Sequence, residues 1–126
     1  MLEHTIEIRV RYQETDGQGR LHHANFITYF EQGRVELLRS LGKSYRDLEA
    51  EGFMLVVSEI SCRYRQGVLF DDVLQVTTRA VEAKGARIRH EYIVRRGDEL
   101  IAEGHSTVAC VNREGRAARL PAFLLV

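Results

Sequence analysis

The sequence has little cysteine, a single proline and no excess of charge of either sign, and these scarcities narrow the possible functions. Its 126 residues carry 18 basic and 18 acidic side chains, so the formal net charge is zero. A neutral chain is not typical of proteins that bind nucleic acid or an anionic membrane surface through bulk electrostatic attraction. No apolar run approaches the roughly 18 residues that a membrane-spanning helix needs, so we expect no membrane span.

The two cysteines and the first residues indicate a compartment. Cys62 and Cys110 lie in strand-like segments, where a buried free thiol is more common than a disulfide or a nucleophile. The N-terminal residues alternate polar and apolar side chains and do not resemble a secretion signal. We therefore expect a cytoplasmic protein with two unpaired cysteines.

Hydrophobic periodicity predicts a strand followed by one long helix. Side chains alternate between polar and apolar over residues 2–12, which is typical of a half-buried antiparallel strand. The period becomes helical over residues 24–41. Asn25 is the expected N-cap of this helix, and Gly42 suits the C′ position that follows it.

The remainder of the chain predicts a short helix and four more strands. Ser44 is expected to cap a helix over residues 45–51. Glycine-containing turns separate four predicted strands, which lie at about 53–66, 72–83, 86–96 and 99–113. We therefore expect an α+β fold in one domain, with a five-stranded antiparallel sheet and one long helix on one of its faces. The hotdog fold has this arrangement, and cystatin-like folds contain similar elements.

The residues between the first strand and the long helix offer the clearest chemistry. Asp16 lies in a loop just before the helix, where a carboxylate stays ionised and can serve as nucleophile or general base. Its alternative role is that of a turn residue. His23 lies at the expected helix start, where an unpaired backbone N–H can polarise a carbonyl. Tyr12, four residues before Asp16, can place its hydroxyl in the same pocket or serve as an ordinary strand aromatic.

Other charged side chains of this region favour structural roles. Glu31 and Arg34 are three residues apart on the helix, a spacing that predicts an ion pair along it. A metal could in principle be held by Asp16, His22, His23 and Glu31. Their spacing matches no recognised metal motif, so we expect no metal site.

Basic residues cluster around one predicted hairpin turn. Lys84, Arg87 and Arg89 are suited to phosphate groups, and a solvated strand face is the alternative. The sequence contains no glycine-rich nucleotide loop, so a nucleotide would be held at the surface by side chains.

A family resemblance rests on the same stretch. The spacing Asp-x2-Gly-x3-His-x-Asn at residues 16–25, followed by Tyr-Phe-Glu-x2-Arg at 29–34, resembles the 4-hydroxybenzoyl-CoA thioesterase family of hotdog-fold enzymes. It is most similar to the branch with the short-chain acyl-CoA thioesterases associated with the Tol-Pal system. The resemblance implies that Asp16 is the catalytic carboxylate and that His23 supplies the carbonyl-polarising N–H. It also places the His23 side chain and Tyr12 in the site.

The resemblance also implies a reaction and an assembly. We expect hydrolysis of an acyl-CoA to a carboxylic acid and free CoA, with no cofactor and with Lys84, Arg87 and Arg89 as phosphate-binding residues. A non-catalytic acyl-thioester-binding protein and an acyl-thioester dehydratase or hydratase are the alternatives. In proteins of this kind two subunits pair their sheet edges around the site, so we expect a homodimer that pairs further into a homotetramer.

Overall fold

A five-stranded antiparallel sheet and one long helix make up the protein, and the computed structural model describes residues 2–125. The strands are β1 (Leu2–Arg9), β2 (Met54–Tyr64), β3 (Val73–Lys84), β4 (Arg87–Arg96) and β5 (Glu99–Val111), in the sheet order β1-β3-β4-β5-β2. The long helix α1 (His23–Ser40) and the short helix α2 (Tyr45–Ala50) separate β1 from β2 in sequence. Single 3-10 turns lie at Tyr12–Glu14 and Ala122–Leu124. The predicted order of elements is confirmed.

The helix α1 packs on one face of the sheet because alternate residues of the central strands are buried there. Aromatic residues Phe26, Tyr29 and Phe30 of α1 enter the core between helix and sheet. The sheet contributes mostly apolar side chains to the same layer, namely Leu74, Val76, Tyr92, Val94 and Ala102. Burial of this layer is the main force that holds the helix on the sheet.

Two glycines allow the close approach of helix and sheet. A side chain at Gly33 of α1 would overlap Oγ1 of Thr78 on β3, as the glycine in the apolar stripe predicted. On β5, a Cβ at Gly104 would lie 2.7 Å from Cζ of Phe30 and 2.8 Å from the carbonyl oxygen of Ser61. The aromatic layer of α1 therefore occupies space that any larger residue at 104 would fill.

The helix ends show one wrong prediction and one correct prediction. The N-cap is His22, not Asn25, because Nδ1 of His22 accepts a hydrogen bond from the N–H of Ala24 at 3.0 Å. The amide of Asn25 instead donates to the backbone carbonyl of Glu14 at 2.8 Å. At the other end, Gly42 follows the helix with φ of +81°, as its C′ assignment predicted.

The first strand is shorter than its alternation predicted. It ends at Arg9 rather than near residue 12, because the chain turns into the 3-10 segment Tyr12–Glu14. The N–H of Glu14 donates to the carbonyl of Arg11 at 3.0 Å within this turn. The turn bends the chain away from the sheet and toward the start of α1.

The opposite face of the sheet is mostly polar. Side chains there are exposed or half-buried, and they include Gln75, Thr77, Arg79, Glu91, Glu103 and His105. Among residues 2–125, no helix is long and apolar enough to cross a membrane. Both cysteines are free thiols as predicted, with Cys110 buried and Cys62 half-buried. Burial raises the pKa of both thiols, which disfavours a nucleophilic role.

Candidate active site

The loop that carries Asp16 is a short antiparallel ladder. The N–H of Asp16 donates to the carbonyl of Arg20 at 2.8 Å, and the N–H of His22 donates to the carbonyl of Glu14 at 2.9 Å. Between these two rungs, Thr15 and Leu21 form a β-bridge. The ladder therefore holds Asp16 near its tip and ends at the residue that caps α1.

The two oxygens of the Asp16 carboxylate have different surroundings. Oδ1 accepts hydrogen bonds from the backbone N–H of Gln18 at 2.8 Å and of Arg20 at 3.2 Å. These two bonds lower the pKa of Asp16, in that order of size, so the carboxylate is ionised at neutral pH. Oδ2 accepts no hydrogen bond from residues 2–125 and is available to a water molecule or a substrate.

The first backbone N–H of α1 is also available. The N–H of Ala24 is bound by the His22 ring, and the N–H of Asn25 donates to the His22 carbonyl at 2.9 Å. Within the described part of the chain, the N–H of His23 has no acceptor. It lies at the positive end of the helix dipole, where a donor stabilises negative charge on an oxygen.

One cleft brings these two groups together. It has a volume of ≈ 290 Å³ and is formed by the Asp16 loop, the first turn of α1 and the end of β2; its lining includes Asp16, Arg20, His23, Phe26, Tyr64 and Arg65. Tyr64 donates its hydroxyl hydrogen to the backbone carbonyl of His23 at 2.9 Å. The residues that carry an ionised carboxylate, a helix N–H without an acceptor among residues 2–125 and a hydroxyl thus line the same cleft.

Tyr12 lies outside this cleft in the single chain. The residue is 76% exposed, and its ring packs edge-on against the ring of Phe70 with centroids 5.6 Å apart. The cleft lining does not include Tyr12. A role for its hydroxyl in the reaction remains a prediction.

The predicted phosphate-binding residues lie far from Asp16. Lys84, Arg87 and Arg89 flank the β3–β4 hairpin, which adjoins the C-terminal half of α1, whereas Asp16 adjoins its N-terminus. The helix between them is about 27 Å long at 1.5 Å per residue. Within one chain the hairpin and the carboxylate therefore form separate sites.

Two of the three hairpin cations have an acidic neighbour. Glu82 lies 3.7 Å from Nζ of Lys84 and 3.5 Å from Nη1 of Arg89. Arg87 is exposed and has no ion pair with residues 2–125. It is the hairpin side chain best able to bind an anion.

The predicted ion pair between Glu31 and Arg34 is wrong. Glu31 is exposed, whereas Arg34 is buried and donates from Nη1 to the hydroxyl of Tyr92 at 2.9 Å. Tyr92 also shares a 2.5 Å hydrogen bond with Ser106. The guanidinium turns inward because these strand hydroxyls offer acceptors under the helix.

Sequence reasoning missed several residues around the site. Glu14 is buried and binds Tyr29, and Tyr64 lines the cleft from the end of β2. Glu14 was recognisable only as an acidic residue two positions before Asp16. Nothing in the sequence connects Tyr64 to His23, because they come together only when β2 joins the sheet. Across residues 2–125, no group of three His, Cys, Asp or Glu side chains has the arrangement of a metal site.

Comparisons with known proteins identify the class of fold and then the family. The acyl-CoA thioesterase YbgC of Haemophilus influenzae is 34% identical over 109 residues, which cover 86% of this chain and 80% of that protein. The acyl-CoA thioester hydrolase YbgC of Escherichia coli O6:H1 is 30% identical, with 83% and 79% covered. The crystal structure of a DHNA-CoA thioesterase from Staphylococcus aureus superposes with a TM-score of 0.90 at 28% identity, covering 95% of this chain and 82% of that one.

The fold is therefore the hotdog fold, which decides against a cystatin-like arrangement. The family model of the thioesterase-like superfamily matches residues 10–126. The chain belongs to this superfamily, and it is a thioester hydrolase.

Proposed function

We propose that this protein hydrolyses the thioester of an acyl-CoA to a carboxylic acid and free CoA. The observation that carries the proposal is that one cleft is lined both by Asp16, whose carboxylate is ionised, and by His23, whose N–H has no acceptor among residues 2–125. Thioester hydrolysis needs both groups, because a nucleophile must be activated while negative charge grows on the carbonyl oxygen. Water is the only co-reactant, so no cofactor is needed.

Asp16 fits either of two routes. As a general base, its Oδ2 takes a proton from water while the water oxygen attacks the carbonyl carbon. As a nucleophile, Oδ2 attacks the carbon directly, and water then hydrolyses the resulting anhydride. In both routes the N–H of His23 donates to the oxyanion, the carbon–sulfur bond breaks, and the departing CoA thiolate takes up a proton.

We further propose a homodimer, paired into a homotetramer, with a site shared between subunits. Within residues 2–125, the edge strand β2 pairs with β5 alone, and its residues Val56 and Val57 are 45% and 44% exposed. An exposed apolar edge favours pairing with another strand. A composite site would supply Lys84, Arg87 and Arg89 from the second subunit, since the hairpin of the same chain lies at the wrong end of α1.

The acyl group and the compartment are proposals of the same kind. The chain resembles the 4-hydroxybenzoyl-CoA thioesterase family and its Tol-Pal-associated branch, which includes short-chain acyl-CoA thioesterases, so short acyl chains are the first substrates to test. Two free cysteines support a reducing, cytoplasmic location.

The test is hydrolysis of a panel of acyl-CoAs, with free thiol as the readout, by the native protein and by Asp16→Asn. Asparagine keeps an oxygen for the N–H groups of Gln18 and Arg20, so the loop is expected to remain folded. We expect kcat to fall at least about 10²-fold, the low end of general-base contributions. Asp98→Asn, in an exposed turn, is the matched control. Full activity of Asp16→Asn, or no hydrolysis of any acyl-CoA by the native protein, refutes the proposal.

A further inference from the structure

Glu14 is a buried carboxylate that links the Asp16 loop to α1. Only 5% of the residue is exposed. Its Oε1 accepts hydrogen bonds from the hydroxyl of Tyr29 at 2.7 Å and from the backbone N–H of Arg11 at 2.8 Å. Its Oε2 lies 3.2 Å from Nη2 of Arg11. One side chain thus connects the 3-10 turn before the loop to the second turn of the helix.

The backbone of Glu14 makes a second connection to the helix start. Its carbonyl accepts from the N–H of His22 at 2.9 Å and from the side-chain amide of Asn25 at 2.8 Å. The bond to His22 is the last rung of the ladder that carries Asp16. Glu14 is therefore fixed on both sides, by its carboxylate to Tyr29 and by its carbonyl to the residues that begin α1.

The charge of Glu14 is maintained despite its burial. Burial raises the pKa of this carboxyl, but the bonds from the Arg11 N–H, the Tyr29 hydroxyl and the Arg11 guanidinium together lower it below its usual range. Burial and the Glu14 carboxylate raise the pKa of Tyr29, so its hydroxyl stays a donor. Charge-assisted bonds of this kind are about twice as strong as neutral ones, and they resist displacement of the loop.

We propose that Glu14 is a positioning residue that, through Tyr29, holds the Asp16 carboxylate at its working separation from the N–H of His23. The inference rests on the proposed function of Asp16. Asp16 is two residues from Glu14, and His23 follows the His22 rung directly. A shift of the Glu14 end of the ladder therefore moves the carboxylate relative to the helix N-terminus. Displacements of about 1 Å in a reacting pair cost up to about 10²-fold in rate.

Two variants and a double-mutant cycle test this role. Tyr29→Phe removes one hydroxyl and keeps the ring in the core, and Glu14→Gln removes the charge and keeps the shape. We expect kcat to fall about threefold to tenfold for Tyr29→Phe and at least about tenfold for Glu14→Gln, because small displacements of a reacting pair lower the rate steeply. KM for the acyl-CoA should stay within about twofold. Glu49→Gln, on the exposed face of α2, is the matched control.

The double variant Glu14→Gln with Asp16→Asn separates positioning from a general effect on the fold. If Glu14 acts through Asp16, its loss should cost no more than about twofold once the carboxylate is gone. A full additional loss in the double variant would overturn the proposal. The proposal would also be overturned if kcat were unchanged in both Tyr29→Phe and Glu14→Gln, even if their melting temperatures were lower. If Glu14→Gln does not fold, the kcat of Tyr29→Phe alone decides the question. If Asp16→Asn is inactive while Tyr29→Phe and Glu14→Gln keep the native kcat, only the positioning role of Glu14 is overturned. If Asp16→Asn keeps the native kcat, the proposed function is overturned as well.

Discussion

The hydroxyl of Tyr64 donates a hydrogen bond to the backbone carbonyl of His23 at 2.9 Å, which joins the end of β2 to the first turn of α1. The ring of Tyr64 also packs edge-on against Phe26, with centroids 5.1 Å apart. This contact closes one wall of the cleft and fixes the peptide that follows the free N–H of His23. Tyr64 is thus the long-range support of the helix start, as Glu14 is its local support.

Removal of the Tyr64 hydroxyl should lower the rate more than the stability. Tyr64→Phe keeps the ring packing and loses one half-exposed hydrogen bond, which is worth about 0.5–1.5 kcal/mol. We expect kcat for acyl-CoA hydrolysis to fall roughly twofold to tenfold with little change in melting temperature. Ser58→Ala removes a 3.1 Å hydroxyl–carbonyl bond elsewhere on β2 and should leave kcat unchanged. Equal rates for Tyr64→Phe and the native protein would contradict the prediction.

Stability should fall as the pH drops below about 6.5 because of His90. Burial, with Arg34 nearby, lowers the pKa of His90 to about 3, and its Nδ1 has no hydrogen-bond partner among residues 2–125. The unfolded chain binds this proton below its ordinary pKa of about 6.5, whereas the folded chain does so only near 3. The free energy of unfolding should therefore decrease by about 1 kcal/mol per pH unit between pH 6 and 5.

Denaturant titrations at these two pH values measure that slope. His90→Phe should flatten it, while His105→Gln, at an exposed position on β5, should not. The window stays above the range in which most carboxylates titrate. A slope that is the same in His90→Phe and the native protein would show that another group causes it.

Arg87 should contribute to the binding of CoA phosphate rather than to the chemical step. Glu82 lies close to Lys84 and Arg89, so among the three hairpin cations the charge of Arg87 is the least neutralised by a nearby carboxylate. Arg87→Gln should raise KM for an acyl-CoA several-fold and leave kcat unchanged, because a contact remote from the carbonyl gives uniform binding. KM for a short acyl-pantetheine, which lacks the nucleotide, should not change. A similar rise for both substrates would exclude a phosphate contact.

The proposed dimer should depend on the β2 edge. Val57→Lys places a charge on the exposed apolar edge, a change that disfavours strand pairing. We expect the native protein to sediment as a dimer or tetramer at micromolar concentration, and Val57→Lys to shift toward monomer and lose activity. Leu125→Lys, at a similarly exposed apolar residue outside the sheet, is the control. A native monomer with full activity would refute both the dimer and the shared site.

A shared site also predicts complementation between a chain that lacks the Asp16 carboxylate and a chain that lacks the Arg87 cation. Co-expression of an Asp16→Asn chain with an Arg87→Gln chain should restore part of the low-KM activity. Each mixed dimer then contains one site with both an intact carboxylate and an intact hairpin. Activity no higher than the sum of the two separate variants would argue against a composite site.

The sequence by itself determined the elements and brought together the local part of the candidate site. Period-2 and period-3.6 patterns located five strands and α1 to within a few residues, because these patterns record which side chains face the core. Asp16 and His23 were recognisable because only seven residues separate them along the chain. Their geometry comes from a ladder closed within residues 14–22, so local hydrogen bonds suffice to bring them together.

Only the tertiary structure decided which distant residues join that site and which stay away. Tyr64 reaches His23, and Arg34 binds Tyr92 rather than Glu31, because the packing of α1 on the sheet sets which acceptors lie within reach. Likewise His22 rather than Asn25 caps the helix, because the side-chain amide of Asn25 donates its hydrogen bond to the carbonyl of Glu14. The contacts of Tyr64 and Arg34 depend on the burial of one face of α1 against strands far away in sequence, whereas the cap depends on the fold of residues 14–25. Buried polar groups in that layer need hydrogen-bond partners, and the sheet supplies the donors and acceptors within reach. The pattern of residues along the chain does not predict which partners these are.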